Sequence, residues 1–151
     1  MSMKQNLEGN VEGMQIIILS FGYRNGIPQD ADVVIDVRFL PNPYDELEMR
    51  RMNGLDQAVK NYVLYTPITR TFQSKFMDLL RFLLLQYAAS GKSTLTIAFG
   101  CTEGQHRSVV IAEYINEVLK RYGYPSTIQH RDLQLHDDQM EKNRKDSGKN
   151  L

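Results

Sequence analysis

An α/β domain with a mainly parallel sheet of about four strands, flanked by helices, is the fold class this sequence predicts. Three observations carry that expectation. Short apolar, β-branched runs stop at glycine or acidic turn signals, as buried strands do. Other stretches place apolar residues at helical spacing. The two kinds alternate along the chain, and parallel neighbours need crossover helices between them.

The first strand is read from "MQIIILSFGY" (Met14 to Tyr23), which ends at Ser20, Phe21 and Gly22. Loop chemistry follows in "RNGIPQDAD", and "VVIDVRF" (Val33 to Phe39) reads as a second strand with Asp36 and Arg38 near its end. The prolines of "LPNPYDELEMRRMNGLD" forbid a regular helix through Asn42, so a structured loop over the carboxyl ends of the strands is expected. "GLDQAVKNYVLY" then predicts a short helix with Asp56 near its first turn, and Thr71 to Ala89 predicts a longer one. After "SGKS", the run Thr94 to Gly100 reads as the third strand. Ser108 to Tyr122 is an amphipathic helix closed by Gly123 and Pro125, and "STIQHRDL" supplies a fourth strand. Residues 1–13 form a polar N-terminal segment, residues 14–133 the domain, and residues 134–151 a polar tail expected to be frayed or disordered.

Composition narrows the function classes. The chain has 151 residues, one domain's worth, with 18 basic and 18 acidic side chains, so no whole-molecule field draws it to nucleic acid or anionic membrane. A single cysteine, Cys101, excludes an internal disulfide. No apolar run approaches the roughly 20 residues that span a bilayer, and the polar start lacks a signal-peptide core, so a cytoplasmic protein is expected.

Three segments bring polar residues to the carboxyl edge of the predicted sheet, where α/β domains hold their ligands. They are Ser20 and Gly22, Asp36 to Tyr44, and Cys101 to Ser108. The last, "CTEGQHRS", passes from strand to helix, so its amides and the helix dipole converge on one point suited to an anion. Gly104 permits close backbone approach, and Arg107 adds a planar fork of donors. Thr102, Gln105, His106 and Ser108 complete a hydrogen-bonding shell, which makes the segment a phosphate cradle. Taken singly, these residues read as packing, capping or surface positions; the reading rests on their combination.

The same spacing satisfies C-x-x-G-x-x-R-S, in which a cysteine thiolate attacks a phosphoryl group as in protein tyrosine phosphatases. Cys101 would be the nucleophile, Arg107 the phosphate ligand, and Asp36 or Asp45 the general acid. Gly100 stands where those enzymes carry histidine, and the chain has no tryptophan for their acid-bearing segment. A phosphatase is therefore the alternative to a binding domain. No metal or cofactor is expected.

"SFGYRNGIPQDADVVIDVRFLPNPY" (Ser20 to Tyr44), "GLD" (Gly54 to Asp56), "GCTEGQHRSVVIAEYI" (Gly100 to Ile115) and "HRDL" (His130 to Leu133) together resemble the C-terminal domain of the RapZ family of RNase adapter proteins. The resemblance covers about Met14 to Leu133. It implies a phosphofructokinase-subdomain-like fold, binding of the phosphosugar glucosamine-6-phosphate, self-association, and in full-length members the capture of small regulatory RNAs. The family's sugar-phosphate pocket would fall on Asp36, Arg38 and Asn42, with Tyr44 nearby, and on Thr102, Gly104, Gln105, His106 and Arg107. Family members commonly carry a nucleotide-binding domain as well, so a separate one is a possible partner here; "SGKS" (Ser90 to Ser93) lacks the first glycine of a phosphate loop. Glu103 replaces a family glycine and Tyr44 a family histidine. "LQLHDDQ" replaces the family's basic run, which weakens the expectation of RNA binding.

Overall fold

The computed structural model describes Val11 and residues 13–149; apart from Val11 and Gly13, the expected polar segment 1–13 lies outside the described residues. Four strands, β1 (Gln15–Gly22), β2 (Val33–Asp36), β3 (Thr94–Cys101) and β4 (Ser126–His130), form one sheet in the order β2-β3-β1-β4. Every pairing is parallel. Among the described residues four α-helices accompany them: α1 (Gln57–Leu64), α2 (Pro67–Ala89), α3 (Arg107–Arg121) and α4 (Asp137–Lys149). This is the α/β layer fold that the alternation of patterns predicts.

The central pair β1 and β3 runs in register from Gln15 opposite Thr94 to Gly22 opposite Cys101. Ile16, Ile18, Leu95, Ile97 and Phe99 bury one face of that pair. Val110, Ile111, Ile115 and Leu119 of α3 belong to the same core, as do Val59 and Val63 of α1 and Phe76, Leu80 and Leu84 of α2. The Phe76 and Phe99 rings meet edge to face, with centroids 5.3 Å apart. Because both central strands end together, Gly22 and Cys101 deliver their following loops to the same edge.

Four boundaries differ from the sequence expectation, the simplest being β4, which stops at His130 rather than Leu133. β2 stops at Asp36 rather than Phe39, because the Asp36 carboxylate accepts the Arg38 amide at 2.9 Å and turns the chain out of the sheet. α2 begins at Pro67 rather than Thr71: Thr66 caps it, its Oγ1 accepting the Thr69 amide at 3.3 Å, and proline occupies the first turn. The expected frayed tail is, from Asp137 on, the helix α4. Its head is tied down by polar contacts that hydropathy cannot show: His136 Nε2 lies 2.9 Å from Asp56 Oδ1, and Gln139 donates to Asn53 Oδ1 at 2.8 Å. Among the described residues no helix is long and apolar enough to cross a membrane.

Candidate functional site

The loop from β3 to α3 is held by backbone packing against the end of β1. A methyl group placed on Gly22 would lie 2.4 Å from the Glu103 carbonyl carbon, so only glycine lets the two loops meet. Gly104 has φ 78°, the left-handed conformation that glycine adopts freely, and turns the chain into the helix. Arg24 donates its amide to the Thr102 carbonyl at 3.1 Å, and the Asp132 carboxylate accepts the Gly22 amide at 2.7 Å. Among the described residues, none accepts a hydrogen bond from the main-chain amides of Glu103, Gly104, Gln105 or His106.

His106 and Arg107 reach from this loop to the segment after β2. His106 Nε2 lies 2.7 Å from the Met52 carbonyl and 3.2 Å from that of Met49, so that nitrogen carries the proton and donates. Burial pushes the His106 pKa down, and the Arg107 charge adds to that; its bonds to the two carbonyls act the other way without reversing the shift. Arg107 is only 6 % exposed. Its Nη1 donates to the Arg38 carbonyl and, at 3.3 Å, to that of Leu40, while Nη2 lies 3.4 Å from Thr102 Oγ1. Nε is buried with no partner among the described residues. Both side chains therefore hold the loop in place as well as facing the site, a double role their position in the sequence does not disclose.

That loop is structured, as its prolines require. It contains two short 3-10 turns, Pro43–Asp45 and Leu47–Met49, the first capped by Asn42, whose Oδ1 accepts the Tyr44 amide at 3.1 Å. Arg50 donates from Nε to the Tyr44 carbonyl at 2.8 Å, and its guanidinium lies over the Tyr44 ring.

A cavity of roughly 640 Å³ opens between the loop and the cradle. Of the residues singled out in the sequence, Asn42, Tyr44, Cys101, Thr102, Glu103, Gln105, His106 and Arg107 line it. Asp36, Arg38, Gly104 and Ser108 do not. Asp36 and Arg38 close on each other, with Arg38 Nη2 2.7 Å from Asp36 Oδ2, and the guanidinium holds the Asp36 carboxyl below the usual carboxylate range. Each is thus taken up by the other and stands outside the lining, whereas the resemblance places both in the pocket. Ser108 is fully buried, and its Oγ accepts from the Cys101 thiol at 3.0 Å. Gly104 shapes the loop from behind.

Cys101 is 3 % exposed and bonded to Ser108, and Asp36 is locked to Arg38 away from the cavity. The geometry gives the phosphatase alternative no support: the thiol, at the cavity wall but almost wholly buried, is bonded to Ser108, and neither candidate acid, Asp36 or Asp45, is in the lining.

Sequence reasoning missed part of the lining, namely Arg24, Asn25, Arg50, Asp132 and Gln134. The available signal was positional: Arg24 follows the first strand immediately, and Arg50 lies in the proline-bearing loop already expected above the strands. Asp132 and Gln134 arrive after β4 and are fixed by Gln105, which donates to the Asp132 carbonyl at 2.8 Å and accepts the Gln134 amide at 2.9 Å. Burial raises the Asp132 pKa, but Arg131 and the Gly22 amide outweigh it and leave the carboxyl below its ordinary value. The Glu103 carboxylate, which if unpaired would oppose an anion, is engaged by Arg24 at 2.9 Å.

Comparison with known proteins agrees with the motifs. A "Nucleotide-binding protein" of Syntrophomonas wolfei subsp. wolfei is 50 % identical over 119 residues, 79 % of this chain and 40 % of that protein. One of Acidobacterium capsulatum is 52 % identical over 126 residues, 83 % of this chain and 41 % of that protein. One of Nitratidesulfovibrio vulgaris is 45 % identical over 130 residues, 86 % of this chain and 43 % of that protein. The chain thus spans about two-fifths of the length of the curated relatives it matches. Since the profile of the RapZ C-terminal domain matches residues 14–134, from just before β1 to the last residue lining the cavity, this chain belongs to that family.

Proposed function

We propose that this domain binds a phosphorylated small molecule, a phosphosugar such as glucosamine-6-phosphate, in the cavity between the β3–α3 loop and the loop after β2, and that it acts as a regulatory or adapter domain rather than as an enzyme. The observation that carries this reading is Arg107: a guanidinium 6 % exposed, lining the cavity, with neutral partners and one nitrogen left unbonded among the described residues. A buried cation contacted by carbonyls and a hydroxyl keeps its full attraction for an anion. The amides of the lining residues Glu103, Gln105 and His106 and the Thr102 hydroxyl add donors suited to phosphoryl oxygens.

Calorimetric titration with glucosamine-6-phosphate, other phosphosugars and nucleotides tests the reading; nucleotides belong in the set because the relatives are named for binding them. Arg107→Ala removes charge-assisted bonds of about 1.5–3 kcal/mol, so affinity should fall by about 10-fold or more. Since Arg107 also holds the Arg38 and Leu40 carbonyls, Thr102→Val serves as a gentler second variant, with circular dichroism to show that both fold. Affinity unchanged in both variants would sink the proposal. Contact with small RNA and self-association, which the family likeness implies, are part of the same proposal. A salt-dependent gel shift and the mass in solution are their checks.

A further inference from the structure

Glu103 is the one carboxylate of the cavity lining that is paired with a cation of the same lining. Arg24 Nη1 lies 2.9 Å from Glu103 Oε1 and 3.2 Å from Oε2, and both residues line the cavity. The other lining carboxylate, Asp132, has its cation outside the lining, in Arg131, and also accepts from the Gly22 amide and the neutral Asn25 side chain. The Arg24 and Glu103 side chains are 71 % and 49 % exposed, so they sit at the cavity's mouth in contact with water. The pair is not needed to join the two loops that carry it. Those loops already meet through the Arg24 amide on the Thr102 carbonyl, and Gly22 admits Glu103 at backbone contact distance.

We propose that Glu103 is an internal competitor for the site: it holds Arg24 until a phosphoryl group displaces it, and so sets how tightly the cavity binds dianions. The inference rests on the anion-binding reading of this cavity and adds its regulation. Exposed ion pairs of this kind are weak, weak enough for an incoming dianion to replace the carboxylate at Arg24. While the pair stands, Arg24 is neutralised, and the mouth presents less positive charge than its arginines suggest. Displacement frees the guanidinium for the ligand and turns the Glu103 carboxylate out to water.

The test is a double-mutant cycle with inorganic phosphate as titrant, at low salt and slightly alkaline pH, reading the dissociation constant by calorimetry. Glu103→Gln should tighten phosphate binding by about two- to fivefold, the range set by an exposed pair. In an Arg24→Gln background the same substitution should have little effect, because nothing is left to compete for. An equal gain in both backgrounds overturns the proposal, since Glu103 would then act only as a nearby repelling charge. Unchanged or weaker binding by Glu103→Gln, in a protein whose phosphate binding still depends on Arg107, overturns the competition and leaves the site reading standing. Absence of phosphate binding in every variant overturns both.

Discussion

Gly22 and Glu103 lie far apart in the chain, yet their contact decides where the cradle sits. With a methyl group at position 22 falling 2.4 Å from the Glu103 carbonyl carbon and 2.7 Å from the Gly104 nitrogen, the obstacle is backbone on both sides and cannot rotate away. Gly22→Ala should therefore destabilise the domain by about 2–3 kcal/mol, the upper part of the range for overpacking a tight site. Urea denaturation followed by circular dichroism reads this as a lower midpoint at unchanged slope. A midpoint within error of the wild type would mean that the two loops are not in backbone contact. The same scale shows why the site was only partly legible. The strand-to-helix position of "CTEGQHRS" sufficed to place Thr102, Gln105, His106 and Arg107 at a cavity. It did not show that His106 and Arg107 hold carbonyls of Met49, Met52, Arg38 and Leu40, because those partners lie more than fifty positions earlier in the chain. Arg24 and Arg50 escaped notice because loop cations carry no periodicity, and only the folded course of their loops brings them to the same mouth.

The elements themselves were readable wherever hydrophobic periodicity defines them, and misread wherever a side chain's hydrogen bond does. The apolar runs locate β1 and β3 to within a residue or two, and "RSVVIAEYINEVLKR" marks α3 by the same logic. β2, however, ends at the Asp36 turn, and α2 starts at the Thr66 cap, both set by one oxygen accepting one amide. α4 has almost no apolar stripe; it is held at its head by Asn53, Asp56, His136 and Gln139, partners drawn from the start of α1 and from the tail itself. The Thr66 cap allows a direct test. Thr66 Oγ1 accepts the Thr69 amide and also bonds Thr69 Oγ1, which in turn donates to the Val63 carbonyl at 2.6 Å, so the corner between α1 and α2 depends on this chain of hydroxyls. Thr66→Ala should cost about 1 kcal/mol and lower the melting temperature by roughly 2–4 °C, whereas Thr66→Ser should recover most of it. Scanning calorimetry decides between them, and equal melting temperatures for all three proteins would show that the cap contributes nothing.

At the scale of the whole molecule the acidic and basic residues balance at 18 each, so the response of stability to pH is governed by individual groups whose environment changes on folding. Below neutrality they fall into two windows. Asp36 and Glu113 have lowered pKa values, through hydrogen bonds from Arg38 and His130 respectively, against ordinary values of 3.8 and 4.5. In Asp32 and Asp132 burial acts upward but is outweighed, by Lys92 and the Thr96 amide in one and by Arg131 and the Gly22 amide in the other. For all four the folded state binds protons less readily than the unfolded chain. Their stabilisation is therefore complete above the ordinary carboxylate values and is lost as pH falls through their lower folded ones. His106 acts earlier. Its pKa lies below 6.5 in the folded state because burial, above all, penalises the imidazolium. As pH drops below 6.5 the unfolded chain takes up a proton that the folded one refuses, and stability declines until the folded pKa is reached. Urea midpoints should therefore fall in two stages, one beginning just below neutrality and a steeper one in the carboxylate range. His106→Gln keeps an N–H for the Met49 and Met52 carbonyls but removes the titration, so it should flatten the first stage and leave the second intact. If the wild type and His106→Gln lose stability in parallel between pH 7 and 5, His106 is not the buried neutral clamp that holds the loop over the cavity.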